Sequence, residues 1–450
     1  MSARALIAAL ALTGCASTHL GEPINAPLAS PSNEPHALGI DGDAVVLSFS
    51  GGGARAAAFS LGVLQGLRDM PAEGGGSLLD RVVLISAVSG GAITAAYYGQ
   101  NGAEHLDDFR ATLLDRPWGE GLHNPLYPSN WSRLYSGGLN EPGPLADWLD
   151  ADVFHGATMG DLAREGHARI WINATDLHNG APFAFTPFYF DALCSDLGAV
   201  RVGDAVASSM SVPLAIRTTT VQTFPEACAA PLDPWVDAAI ADRGAPALLR
   251  LTARAFKSYR DPNEMRFVHL VDGGVTDNFG LSSMIATRRA SGAAVSPLSF
   301  EDAIRARRVL FLVVNAERSR ADTWQHEQAG PDGPETLSAA MDASIDSSKR
   351  FAYDSFIEAV SDWESEVRSL RCGALRRALQ IRGTLDGWTC DDVRFTVHML
   401  SFADVSEARR AEISGAATDN FLPPALIDAL IAAGQEAVRT DSAAQAMARP

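Results

Sequence analysis

Positive charge is scarce in this chain. Lysine occurs only as Lys257 and Lys349, and 36 Lys and Arg residues face 54 Asp and Glu, a formal charge of −18 over 450 residues. That balance argues against nucleic acid as a partner, since nothing would neutralise its phosphates. It argues equally against electrostatic adhesion to anionic lipid. So little lysine beside so much arginine and alanine is a bias of genome composition and carries no function. Long apolar runs are lacking as well: Ala5 to Leu12 falls far short of the ~20 residues a membrane span needs. Cysteine is limited to five positions, whose spacing resembles no zinc site and which no close histidine completes. What remains, 47% hydrophobic and 20% charged residues, is the composition of a soluble globular protein with ample chain for a core.

The start of the chain is a short basic and apolar leader ending in Leu12-Thr13-Gly14-Cys15. This resembles a bacterial lipobox, in which cleavage before Cys15 makes that cysteine the lipid-bearing first residue. An ordinary short signal with a chance cysteine is the alternative; the small residues before Cys15 favour lipidation. No acidic residue follows Cys15, which resembles sorting to the outer membrane in Gram-negative bacteria. Residues 1–14 are thus expected to be a signal peptide. Residues 15–40, polar and carrying Pro23, Pro27, Pro31 and Pro35, are expected to form a lipidated N-terminus and extended tether. Export would bring Cys194, Cys228, Cys372 and Cys390 into an oxidising compartment, where disulfides form. Closeness in sequence pairs Cys194 with Cys228 and Cys372 with Cys390, although other connectivities are open.

Folded sequence begins with a run of strand character from Asp43 to Ser50. It enters Gly51-Gly52-Gly53-Ala54-Arg55, and then a stretch where Phe59, Val63, Leu64 and Leu67 recur at helical spacing. A second such unit follows. The β-branched run from Arg81 to Val88 stops at Ser89, then Gly90 and Gly91 precede an alanine-rich helix. Two successive strand–turn–helix units predict a parallel sheet with right-handed crossovers. A serine at such a bend projects from the carboxyl edge of the sheet beside free helix N–H groups, as in a nucleophile elbow. The competing reading is a glycine-rich turn with an incidental serine. Three glycines before a helix expose N–H groups that stabilise a phosphate or a developing oxyanion. A phosphate-binding loop would need lysine followed by Ser or Thr, and neither is there; a dinucleotide fingerprint would have glycine where Ala56 stands, a substitution such fingerprints tolerate, so that reading stays open. Arg55, a cation at a helix start, is either solvated or fixes the glycine loop.

From Arg116 to Leu139 lies a long insertion rich in Gly, Pro and aromatics, whose rings either line an entrance, dip into lipid or pack the loop down. Arg169 to Asp176 is predicted as a strand leading through Asn179-Gly180 to a hairpin partner that includes Phe183, Phe185 and Phe188 to Phe190. A short helix from Ala205 ends at Pro213. A buried strand, Phe267 to Val271, delivers Asp272-Gly273-Gly274 to a turn. A strand at Val309 to Asn315, a long helix over Thr336 to Leu370, a strand from Val393 to Phe402 and a final helix from Pro424 to Ala433 complete the chain. With each turn at the carboxyl edge of its strand, the glycine loop, Ser89 and Asp272 meet at one edge of one sheet. Oxyanion hole, nucleophile and carboxylate make an acyl-transfer site. No histidine completes a triad: His269 points away from the face of Asp272, and no motif places His178.

These residues resemble the patatin-like phospholipases, a family that uses a serine–aspartate dyad, over most of the chain after Ala44. Gly51-Gly52-Gly53-Ala54-Arg55 looks like its oxyanion loop. Ala87-Val88-Ser89-Gly90-Gly91 resembles its Gly-x-Ser-x-Gly, with Ala87 for the first glycine. Ser208-Ser209-Met210-Ser211-Val212-Pro213 is similar to its Ala-Ser-x-Ala-x-Pro block, and Asn173-Ala174-Thr175-Asp176-Leu177 to a recurrent bacterial segment. Asp272-Gly273-Gly274 with Asn278 resembles its Asp-Gly-Gly motif, with Gly280 where proline is common. The resemblance implies an α/β fold: a three-layer sandwich with a mostly parallel central sheet flanked by helices. It places the catalytic core at residues 41–318 and a helical and strand elaboration, packed on the core, at 319–450. It implies Ser89 as nucleophile, Asp272 as base, and Gly51, Gly52 and Gly53 as oxyanion hole, with Arg55, Gly90, Gly91, Gly273, Gly274 and Asn278 in support. Asp272 is expected to be partly desolvated and oriented by the amides of Asn278 or Gly273. No metal or cofactor is required. The implied substrate is a phospholipid or lysophospholipid. A general esterase or thioesterase, and a non-catalytic lipid-binding envelope lipoprotein, are the rival readings.

Overall fold

A computed structural model of the chain describes residues 21–29, 38–118, 133, 137–164, 166–291, 298–317, 324–326 and 328–448. Cys15 and residues 1–14 lie outside them, as does most of the Arg116–Leu139 insertion, of which Trp118 is buried. Eight strands form one sheet: β1 (Asp43–Phe49), β2 (Val82–Val88), β3 (Arg169–Asp176), β4 (Ala181–Phe185), β5 (Thr219–Gln222), β6 (Phe267–Asp272), β7 (Arg308–Asn315) and β8 (Arg394–Ser401). The order β8-β7-β1-β2-β3 is parallel throughout, while β4, β5 and β6 join antiparallel.

Parallel strands covered on both faces read as unbroken apolar runs, and β1, β2 and β7 do so. Alternate side chains feed two cores. Val45, Leu47 and Phe49 of β1, with Leu310, Leu312 and Val314 of β7, join one cluster; Ala44 and Val46, with Val309, Phe311 and Val313, join the other. On the first face lie α1 (Gly53–Arg68), α2 (Ser89–Asn101) and α3 (Val202–Ser209). On the second lie α4 (Leu281–Ala290) and α5 (Gly333–Gly373), and α6 (Pro424–Thr440) covers α1. This is the three-layer, mostly parallel architecture.

The segment beyond residue 318 is built into that architecture. Strand β8 pairs with β7 over its whole length, from Arg394 opposite Arg308 to Ser401 opposite Asn315. Helix α6 crosses α1 at glycines: a Cβ on Gly62 would meet the Ile431 carbonyl at 2.0 Å, and one on Gly434 the Phe59 carbonyl at 2.2 Å. The expected boundary at 318 therefore falls between two paired strands of one sheet. The terminal helix also runs past Ala433 to Thr440, and Ser442–Ala448 adds another.

Within the expected tether, Gly21 to Ala29 is docked on the body. Ala26 and Pro27 pair with Asp196 and Ser195. The Asn25 amide donates to the Gln222 carbonyl (2.9 Å) and accepts its N–H (2.8 Å), capping the open edge of β5. Phe188 to Phe190 belong to a helix, Pro187–Leu193, and not to the hairpin strand. Pro187 cannot continue a ladder but suits a first helical turn, and Phe190 still packs its ring near Phe183 and Phe185. Strand β6 is only partly buried, with Phe267 and His269 exposed at its start. Disulfides join Cys194 to Cys228 and Cys372 to Cys390, with Cα separations of 5.3 and 4.8 Å.

Candidate active site

The site is built around β3. Strand β2 runs parallel along the first part of one flank, ending with Val88 opposite Asn173. Strand β6 runs antiparallel beside the last part, ending with Asp272 opposite Ala174. Strand β4 fills the other flank, opposite Ile172 to Asp176, so β2 and β6 share one side of β3 and approach tip to tip. Ser89 follows one tip and Asp272 is the other. The two meet as the sequence predicts, but the geometry differs: the base arrives on an antiparallel strand that descends from beyond the edge.

Ser89 has φ +51, the left-handed conformation of a residue held on a sharp bend, and opens α2. Gly90 and Gly91 let that first turn lie on the glycine loop. A Cβ on Gly90 would meet the Gly53 carbonyl at 2.1 Å, and one on Gly91 the Ser50 carbonyl at 2.6 Å. Ala87 pairs with Phe49 and Ile172 inside β2, so the absence of glycine there strains nothing. The Ser89 N–H donates to the Ser209 hydroxyl (2.7 Å), which in turn donates to the Asn173 carbonyl (2.6 Å). The Asn173 amide grips Ser86 Oγ (2.9 Å) and the Ala87 carbonyl (3.0 Å).

Asp272 is held three ways. Its N–H donates to the Ser211 carbonyl (2.9 Å), its carbonyl accepts from Thr175 Oγ1 (3.0 Å), and its Oδ1 accepts the Gly274 N–H (2.7 Å). Burial pushes its carboxyl up to about 6, while the Gly274 amide and the neighbouring Ser89 hydroxyl pull it back down. Desolvation is thus present as expected, but the orienting amide belongs to Gly274. Gly273 instead allows close packing, since a Cβ there would meet the Asn173 carbonyl at 2.6 Å.

Asn278 serves the glycine loop. Its side-chain and backbone oxygens both accept the Gly51 N–H, at 3.2 and 3.3 Å. The Ala54 N–H donates to the Asp419 carbonyl at 2.8 Å. Among the described residues, that leaves the amides of Gly52 and Gly53, unlike that of Gly51, without a hydrogen-bond acceptor. Arg55 is buried and donates to the carbonyls of Ala316 (2.7 Å) and Ala416 (3.1 Å), tying the loop's helix to the C-terminal segment. Gly280 caps α4 at φ +69, a conformation closed to the proline common at that place. Asp277, the other buried acid nearby, accepts the N–H groups of Phe279, Gly280 and Ser282 and shapes the turn. His178 and His269 are exposed and bond to neither Ser89 nor Asp272. Among the described residues no His, Cys, Asp and Glu cluster could hold a metal, and no helix is long and apolar enough to cross a membrane.

Residues 47–285 match the family model of the patatin-like phospholipases, and the chain belongs to that family. Two solved structures are similar. Human GIVD cytosolic phospholipase A2 shares 13% identity at a TM-score of 0.42, with 90% of this chain and 62% of that one covered. VipD from Legionella pneumophila shares 13% at 0.35, with 98% and 72% covered. The chain thus spans less than two thirds of the human enzyme's length. No curated protein matches the sequence.

Proposed function

We propose that the chain is a serine acyl hydrolase cleaving carboxylic esters of phospholipids or lysophospholipids. The observation that carries this reading is the tip-to-tip approach of Ser89 and Asp272 beside the open amides of Gly52 and Gly53. Ser89 Oγ adds to the ester carbonyl carbon as its proton passes to Asp272, and the Gly52 and Gly53 amides hold the resulting oxyanion. Collapse breaks the ester C–O bond, and Asp272 returns the proton to the departing alkoxide. Water then adds to the acyl-enzyme with Asp272 again as base, releasing fatty acid and free Ser89. A carboxyl near 6 suits this work better than an ordinary aspartate would. We propose further that Cys15 carries a lipid anchor at the outer membrane.

Fluorophosphonate labelling and fatty-acid release from a phospholipid panel test the dyad. Ser89→Ala is expected to lose both, and Asp272→Asn to lose at least about a hundredfold in turnover. Labelling that survives Ser89→Ala would sink the nucleophile assignment. Cleavage of soluble esters or thioesters without phospholipid would replace the substrate class. For the anchor, the mass of the N-terminal peptide decides.

A further inference from the structure

The exposed large apolar side chains are not scattered. Of ten among the described residues, six lie at the end of the sheet that carries the dyad: Leu177, Val212, Leu214, Phe267, Val275 and Phe421. Val212 follows Ser211, whose carbonyl holds the Asp272 N–H, and Val275 follows Gly274, whose N–H holds its carboxylate. Phe421 lies two residues beyond Asp419, the cap of the glycine-loop helix. Leu177 and Phe267 stand at the outer ends of β3 and β6.

Leu214 is unusual twice over. It is 52% exposed, and its φ of +71 is one that side chains other than glycine's rarely adopt. Its surroundings enforce that conformation. Leu214 to Ile216 pair with Gly138 to Asn140, the Asn140 amide donates to the Ala215 carbonyl (2.9 Å), and the Ile216 N–H donates to the Val212 carbonyl (2.9 Å). The pairing with Gly138 to Asn140 thus holds a strained leucine with about half its surface exposed.

We propose that this rim docks on the surface of a net-neutral phospholipid bilayer, with Leu214 and Phe421 entering the acyl region around the mouth of the Ser89 site. The proposal rests on the acyl-hydrolase reading, which requires an ester to be drawn from such a surface. Apolar rim residues gain by immersion. A chain of charge −18 is repelled by anionic lipid, and equally by a second copy of itself, so a zwitterionic surface is the occupant that fits.

Flotation tests this without any hydrolysis. The full chain carrying Cys15→Ser, which removes the proposed anchor, is mixed with vesicles of diether phosphatidylcholine, alone or doped with diether phosphatidylglycerol. It is expected to float with the neutral vesicles and less with the doped ones. Leu214→Ser with Phe421→Ser should lower binding on the order of tenfold. Val212→Ser with Val275→Ser is an independent pair, and Ile357→Ser with Leu379→Ser, exposed elsewhere, is the control; circular dichroism verifies folding of each. Absence of flotation, equal flotation of rim and control pairs, stronger binding to anionic vesicles, or a dimer that the rim pairs dissolve would overturn the proposal. Because the ether lipids cannot be cleaved, failure of the hydrolase reading shows separately, as no fatty acid from ester lipids.

Discussion

Burial lifts the Asp272 carboxyl to about 6, and that single shift sets two pH dependences of opposite sense. In the proposed mechanism catalysis needs the carboxylate, so kcat/KM is expected to fall as pH drops through about 6. Stability behaves the other way. A carboxyl raised above its ordinary value of 3.8 contributes stability that is complete below that value and lost as pH rises through about 6. Asp272→Asn removes a buried charge while keeping an oxygen for the Gly274 amide. The inactive variant should therefore melt above wild type at neutral pH, by an equivalent of up to roughly 3 kcal/mol. The gap should close in acid. Thermal midpoints of both proteins across pH check this, and a gap that is constant with pH would exclude burial of the charge as its cause.

At the scale of elements, the end of α3 and the residues just after it couple the two strand tips: Ser209 receives the Ser89 N–H, and the Ser211 carbonyl receives the Asp272 N–H. Ser209→Ala leaves the buried Ser89 N–H unpaired, at a cost of about 1–3 kcal/mol. The expected result is a fall in kcat with KM for a soluble ester little changed, partly rescued by Ser209→Thr; a change in KM alone would reject the positioning role. The juxtaposition of Ser89 and Asp272, the proposed nucleophile and base, was legible in the sequence because residue type, glycine spacing and flanking runs announce both locally. The bond from Ser209 was not, since its partner lies 120 residues away. Nor was the strand direction at Asp272, because an apolar run carries no mark of parallel or antiparallel pairing. The bonds that engage the Gly51 amide were not legible for a similar reason: only the fold brings Asn278 to it.

Over the whole molecule, composition and alternating strands convey the class of fold, but not that the last part of the chain closes it. A segment that reads as an elaboration packed on the core supplies an edge strand, the cover of α1 and the cap at Ala54. A chain ending at 318 would expose the apolar face of α1 and free the edge of β7. It is expected to aggregate and to lack a cooperative thermal transition, where an independent core would melt sharply and keep fluorophosphonate reactivity.

The bonds from Asp419 to Ala54 and from Arg55 to Ala416 also order events during synthesis. Ser89 and Asp272 leave the ribosome well before the carbonyls that hold the glycine loop's helix in place. A nascent chain therefore carries both groups of the proposed dyad without the contacts that hold the glycine loop's helix. In the proposed mechanism, hydrolysis would begin only when the last helices dock.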